Sequence, residues 1–314
     1  MSEPPEGALA KPRQLPSQHT ITHLLGSGAK VHAVVRNPQK IPSVLERPGV
    51  TIFKGESTDA EAVARAAQGC TGVFLNTFPI PGLELSQAQT IIEASKKVGI
   101  KTIVASTTFF AHKKAMWDTP ITKETLLHGY FSSKYDVEEA VKAAGFEAYT
   151  ILQPAFCHFD FLLPNAPQNF PALSTRGELD HAMDDGATML YTDADDIGAY
   201  AAAALLDPAK FDKHVIAMGH ENLTMEEVAQ IVSRVSGKTV LAKKRSAEEV
   251  EQVKDTLFTQ RFHLWANATD LSEGAVAAKA VQAKFGIPFT SLEDALTREK
   301  TRLLECLAVL ESVQ

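Results

Sequence analysis

Lys30-Val31-His32-Ala33-Val34-Val35-Arg36-Asn37-Pro38-Gln39-Lys40 is a short apolar, β-branched run that ends on an arginine and a turn. The run has the length and residue types of a buried strand, and Gly28 ahead of it stops a helix. Asn37-Pro38 ends the strand, because proline cannot continue a ladder and pushes its predecessor out of the helical region. In an open α/β sheet, ligands sit beyond the carboxyl ends of the strands, and a planar guanidinium there suits a ribose 2′-phosphate better than a ribose hydroxyl. Arg36 to Lys40 therefore point to NADP (NADPH) rather than NAD, the alternative being a solvent-exposed arginine in an ordinary turn.

Outward from this stretch, strands and helices alternate. Val50-Thr51-Ile52-Phe53, Gly72 to Asn76, Lys101 to Ser106 and Ala148 to Leu152 read as strands. Asp59 to Gln68, Glu84 to Val98 and Ser132 to Ala144 read as the helices between them. Such alternation implies parallel pairing with right-handed crossovers, so the units are expected in one twisted sheet with helices on both faces. The fold class is therefore α/β, a Rossmann-like doubly wound parallel sheet with a smaller C-terminal substrate-binding part. Residues 1–19, with Pro4, Pro5, Pro12 and Pro16, read as a flexible lead-in. Residues 20–154 read as the NAD(P)-binding domain, and Thr20 to Leu25 as the last turns of a helix closed by Gly26-Ser27-Gly28. Residues 155–314 read as a substrate-binding cap. It opens on the Phe- and Pro-rich irregular stretch Phe156 to Pro171, adds helices at 193–206, 224–236, 246–256, 271–284 and 290–311, and sends a strand at Val215 to Met218 back toward the sheet.

The composition narrows the function. The chain has 314 residues with a net charge of −7 and a pI near 5.8, so its overall field repels phosphate backbones and anionic membranes, and no nucleic-acid or membrane partner is expected. Its three cysteines, Cys70, Cys157 and Cys306, form no CxxC pair, which suggests a reducing, cytoplasmic setting. Templates for nucleoside triphosphates (GxxxxGK[ST]), for a nucleophile elbow (GxSxG) and for zinc (HExxH) are missing, and His158 with Asp160 is too isolated to read as a metal site. Lys243-Lys244-Arg245 reads as a solvated basic face.

Tyr130 and Lys134 stand four apart at a helix start, so both project from one face. A lysine beside a tyrosine stabilises the phenolate and lets the hydroxyl exchange a proton with a carbonyl oxygen during hydride transfer. Ser106, Thr107 and Thr108, at the preceding strand end, can bring hydroxyls to the same crevice or cap local turns. Phe109, Phe110, Phe156, Phe159, Phe161 and Phe170 either flank a pocket for a flat aromatic substrate or pack the core.

Five separated motifs in this order resemble the NmrA-like proteins, which belong with the isoflavone-reductase-like, atypical short-chain dehydrogenases. They are Val34-Val35-Arg36-Asn37-Pro38-Gln39-Lys40, Phe53-Lys54-Gly55-Glu56, Val73-Phe74-Leu75-Asn76-Thr77, Phe131 to Glu139 and Tyr149 to Phe156. The resemblance covers roughly residues 20–300. It implies that Arg36, Asn37, Pro38, Gln39 and Lys40 hold the 2′-phosphate of NADP, that Glu56 and Ser57 lie near the adenine, and that Thr77, Phe78 and Pro79 line the middle of the cofactor. It implies further that Lys134 sits near the nicotinamide ribose and acts in catalysis, and that Phe156, Cys157, His158 and Phe159 border the nicotinamide and the substrate. Tyr130 occupies a position that is often not tyrosine in the family, and Gln153 stands where an arginine is usual. The family's opening strand and GxxGxxG turn have no match ahead of Thr20. Each lost pyrophosphate contact removes a charge-assisted hydrogen bond of about 1.5 to 3 kcal/mol. Together these losses are enough to move a micromolar site toward millimolar. The expected function is an NADP-dependent oxidoreductase of a small apolar or aromatic metabolite, in the manner of secondary-metabolite enzymes. The alternative is a non-catalytic, NADP-binding redox sensor that controls a partner protein.

Overall fold

The computed structural model describes residues 16–80 and 82–310. The expected flexible lead-in lies outside the described residues over 1–15, whereas residues 16–19 are helical, because helix α1 (Pro16–Gly26) begins at its proline. A proline at a helix start gives up only an N–H that the first turn leaves unpaired in any case. Strands β1 (Val31–Val35) and β2 (Val50–Lys54) follow, then α2 (Ala60–Ala67), β3 (Gly72–Asn76), α3 (Leu83–Lys97), β4 (Thr102–Ser106), α4 (His128–Ala143) and β5 (Ala148–Gln153). Asp59 caps α2 by accepting from the amides of Glu61 and Ala62.

The parallel pairing expected from the sequence is present, but not as one sheet. β1 pairs with β2 in a two-stranded sheet, and β3, β4, β5 and β9 (His214–Ala217) form a second sheet in that order, all parallel. Among the described residues no ladder joins β1 to β3. The consequence shows in burial: all five residues of β4 are buried, while β1, apolar at four of its five positions, buries only Val31 fully. A strand hydrogen-bonded along one edge alone keeps its other edge accessible. Helices hold the two sheets together. α1 packs against both β1 and β3, while α2 packs against β1, β2 and α3.

α1 is seated on α5 (Ala194–Leu206) by two devices. A Cβ on Gly198 would lie 2.5 Å from His19 Cβ and 2.7 Å from the Thr20 amide nitrogen, so only glycine lets the two helices approach this closely. At the start of α5, Asp195 Oδ1 lies 3.0 Å from both His19 Nδ1 and His23 Nε2, one turn apart on α1. These hydrogen bonds hold the Asp195 carboxyl down at about 2.

The stretch expected to be irregular carries β6 (Phe156–Cys157), a 3-10 turn at His158–Phe161 and a short helical turn at Ala166–Asn169, and a second helical turn at Leu173–Arg176 comes just after it. β7 (Glu178–His181) and β8 (Met189–Thr192) follow. Beyond β9 come β10 (Glu221–Leu223), α6 (Met225–Ser236), β11 (Leu241–Lys244), α7 (Phe258–Asn267) and α8 (Ser272–Phe285). β8 lies between β6 and β10, and β11 pairs with β7, so the cap has two small sheets of its own. The helix expected over 290–311 is two, Leu292–Arg298 and Lys300–Cys306, meeting at Glu299. Lys243, Lys244 and Arg245 are paired with Glu178, with Asp184 and Asp185, and with Asp180. Among the described residues no helix is long and apolar enough to cross a membrane.

Candidate active site

The carboxyl ends of the parallel strands deliver the sequence-derived residues to one end of the fold. Arg36 to Lys40 are exposed at the end of β1, where the Gln39 amide donates to Asn37 Oδ1 at 3.0 Å and fixes the turn. Glu56 is exposed and Ser57 half-buried beyond the end of β2. At the end of β3, Asn76 Nδ2 donates to Ser17 Oγ at 3.2 Å, which places the first turn of α1 over that strand end. A helix start presents amides and the positive end of the dipole to an anion. The chemistry of this donor set fits a phosphorylated dinucleotide: a guanidinium and an ammonium in one turn, and a helix start across the β1–β3 gap.

The second part of the site is built around Glu84, which the sequence reading did not single out. It is fully buried on the first turn of α3. Its Oε1 accepts from Lys134 Nζ at 2.5 Å and from Thr77 Oγ1 at 2.8 Å, and its Oε2 accepts from Ser133 Oγ at 2.8 Å. One carboxylate thus joins the end of β3, the start of α3 and the first half of α4. Lys134 is itself 4% exposed, so this is a buried ion pair with added hydroxyl donors, the condition under which such a pair is tolerated.

Tyr130 sits one turn before Lys134. Its ring meets Phe131, Phe258 and Phe262 edge-on, at centroid distances of 5.4, 5.8 and 5.4 Å. Its hydroxyl is hydrogen-bonded to Thr108. Here the geometry departs from the expected phenolate stabilisation. Lys134 Nζ is 5.9 Å from the centre of the Tyr130 ring and is directed to Glu84. Burial, with the Glu84 charge adding to it, pushes the phenol well above its ordinary range. Tyr130 is therefore held as the neutral phenol, a hydrogen-bond donor.

Thr107 supports the site from beneath. Its hydroxyl and Gln153 Nε2 both donate to Glu138 Oε1 at 2.7 Å, and Gln153 Oε1 lies 2.9 Å from His112 Nδ1. Gln153 thereby satisfies part of a buried carboxylate, whose pKa burial raises. Phe78 and Pro79 are exposed at the rim. The cap residues behave differently from one another. Phe156 packs edge-on against Tyr191 and Phe170. Cys157 points its thiol at the Ala155 carbonyl, and burial pushes that thiol up. His158 is buried and held neutral, with its pKa down at about 3, and neither ring nitrogen has a partner among the described residues. With Phe159, His19, Asp193 and Arg298 it lines a cavity of about 10 Å³, about the room one water needs. Phe109, Phe110, Phe161 and Phe170 are core residues. Among the described residues no group of three or more His, Cys, Asp or Glu could hold a metal ion.

Comparison with known proteins places the chain in a family. An NAD(P)H azoreductase of Xenophilus azovorans is 26% identical over 220 residues, covering 70% of this chain and 70% of the relative. The NADPH-dependent quinone oxidoreductase of Escherichia coli, solved with NADPH, superposes with a TM-score of 0.70 at 20% identity, covering 91% of this chain and 96% of that one. NmrA, a negative transcriptional regulator solved with NAD, superposes with a TM-score of 0.67 at 18% identity, covering 93% and 94%. At these identities the superpositions establish the Rossmann-like fold. The family model for the NmrA-like family matches residues 17–293, and the chain belongs to that family.

Proposed function

We propose that this protein is an NADPH-dependent oxidoreductase that reduces a small apolar or aromatic carbonyl or quinone, of the kind met in secondary metabolism, in the cytoplasm. The observation that carries this reading is the convergence, at one end of the parallel strands, of Arg36 to Lys40, the first turn of α1 and the Glu84–Lys134–Tyr130 group. Arg36 and Lys40 would hold the 2′-phosphate, Glu56 and Ser57 the adenine end, and Thr77, Phe78 and Pro79 the middle of the dinucleotide. When bound, the nicotinamide supplies a hydride. Lys134, fixed by Glu84, would hold the ribose hydroxyls through its remaining donors. Tyr130, kept protonated by burial, would give its hydroxyl proton to the oxygen that gains charge as the carbonyl is reduced, and Thr108 steadies that hydroxyl. Burial keeps the hydroxyl in the protonated form that reduction needs, but the raised pKa also makes it a weaker acid, so its proton leaves only as charge builds on the acceptor oxygen. His158, Cys157, Phe156 and Phe159 would close the substrate side and keep water out.

NADPH consumption followed at 340 nm with a panel of quinones and enones tests this. Turnover that Tyr130→Phe lowers about 100-fold, within the range of general-acid contributions, supports it. No turnover with any acceptor overturns it. A second reading, a dinucleotide-binding regulator of a partner protein, is favoured by one observation: the Lys134 ammonium is directed to Glu84 and not to the Tyr130 hydroxyl. Capture of a partner that depends on NADPH, without turnover, distinguishes it.

A further inference from the structure

α7 closes the outer side of Tyr130, and it carries a feature that the reduction chemistry does not use. Phe258 is 44% exposed, and its ring meets Tyr130 at 5.8 Å and Phe262 at 5.4 Å, both edge-on. An exposed aromatic at the end of a buried aromatic cluster offers a flat apolar wall. The Arg261 guanidinium lies over this ring, 5.5 Å from its centre. Arg261 is half-buried, forms no ion pair among the described residues, and its Nε is shielded from solvent without a hydrogen-bond partner.

The contrast with its neighbour is informative. Arg245, in the same part of the cap, is bound by Asp180 and by Gln260 Oε1. A half-buried guanidinium left without a counter-ion carries a desolvation cost that an incoming carboxylate or sulfonate offsets. The wall is also held in place. Thr259 Oγ1 donates to Asn169 Oδ1, Asn169 Nδ2 donates to Asp160 Oδ1 at 3.0 Å, and Trp265 Nε1 donates to the Met116 carbonyl at 3.0 Å. α7 is thereby fixed to the segment after β5 and to the loop after β4.

We propose that Phe258 and Arg261 form the outer wall of the substrate site and select planar aromatic acceptors that carry a negative charge, a ring carboxylate or sulfonate. Phe258 and Tyr130 supply the apolar faces, and Arg261 pairs with the anionic substituent. This specificity rests on the reductase reading for its turnover but not for its binding.

The test uses the full chain with NADPH and two probes of equal shape, 2-naphthalenesulfonate and neutral 2-naphthalenesulfonamide, titrated calorimetrically. The sulfonate is expected to bind at least 10-fold more tightly. Arg261→Gln should remove that difference, Arg261→Lys should keep part of it, and Phe258→Ala should weaken both probes. Equal binding of the two by the unaltered protein, or a difference that survives Arg261→Gln, overturns the proposal. In parallel, 1,4-naphthoquinone and its 2-sulfonate are compared as NADPH oxidants; each accepts a hydride and a proton to give the hydroquinone while NADPH becomes NADP⁺. A sulfonate preference in binding without turnover of either quinone refutes the reductase reading and leaves the anion-selective wall standing. Turnover of both with equal kcat/KM and equal probe binding does the reverse.

Discussion

Removing the Lys134 ammonium should destabilise the fold far more than removing both charges of its pair. Glu84 is 0% and Lys134 4% exposed, and the carboxylate keeps two hydroxyl donors when the ammonium goes. Lys134→Met leaves an uncompensated buried charge, a change that costs about 3 to 5 kcal/mol, and Glu84→Gln strands the ammonium at a similar cost. Set against a total stability of about 5 to 15 kcal/mol, either loss is a large fraction. In Lys134→Met/Glu84→Gln no charge is buried, and the glutamine oxygen still accepts from a hydroxyl, so the double variant should lose less than the two single losses added together. Urea denaturation followed by circular dichroism gives all four corners of the cycle, and a coupling of about 2 kcal/mol or more is expected. If the single losses add to within about 0.5 kcal/mol, the pair does not act as a unit and the reasoning fails. The cycle also separates fold from chemistry: the double variant should be folded and inactive as a reductase.

Arg36→Ala should remove a charge-assisted contact of about 1.5 to 3 kcal/mol, cutting the preference for NADPH over NADH by roughly 10- to 150-fold, read as the ratio of the two kcat/KM values or of the two Kd values. Gly198→Ala forces a methyl into the backbone of α1 2.6 to 2.7 Å away; a loss of about 1 to 3 kcal/mol in denaturation and weaker NADPH binding should appear together. The Asp195 carboxyl is depressed to about 2 by His19 and His23, so its contribution is present above its ordinary value near 3.8 and is lost as pH falls toward 2. Asp195→Asn should therefore flatten the stability profile between about pH 4 and 2, and an unchanged acid limb would remove this contact from the account.

Much of the α/β framework was legible because strand period, glycine stops and helix caps agree along residues 50–152: β3 begins and ends where its apolar run does, and Asp59 caps α2. The two-sheet arrangement was not legible, since pairing depends on whether a ladder forms between β1 and β3, and neither strand's own residues report that. α7 was missed because its buried face mixes Thr259, Gln260 and His263 with Phe262 and Trp265, which hides the apolar spacing. In the site, the turn at Arg36 and the Tyr130–Lys134 spacing were readable locally. Glu84 was not: an acid at a helix start reads as a dipole partner, and its real partner is 50 residues away. The orientation of Lys134 toward that carboxylate, rather than toward the Tyr130 hydroxyl, follows from packing of α3 on α4 and carries no sequence signature.

The most direct measurement is a calorimetric titration of NADPH and NADH into the full chain. The account predicts saturable binding of one NADPH per chain, at least about 10-fold tighter than NADH, since the 2′-phosphate contact is the difference between them. Equal affinity for the two, or no binding of either up to millimolar concentration, would contradict the assignment of Arg36 to Lys40 and of the α1 start to a phosphorylated dinucleotide.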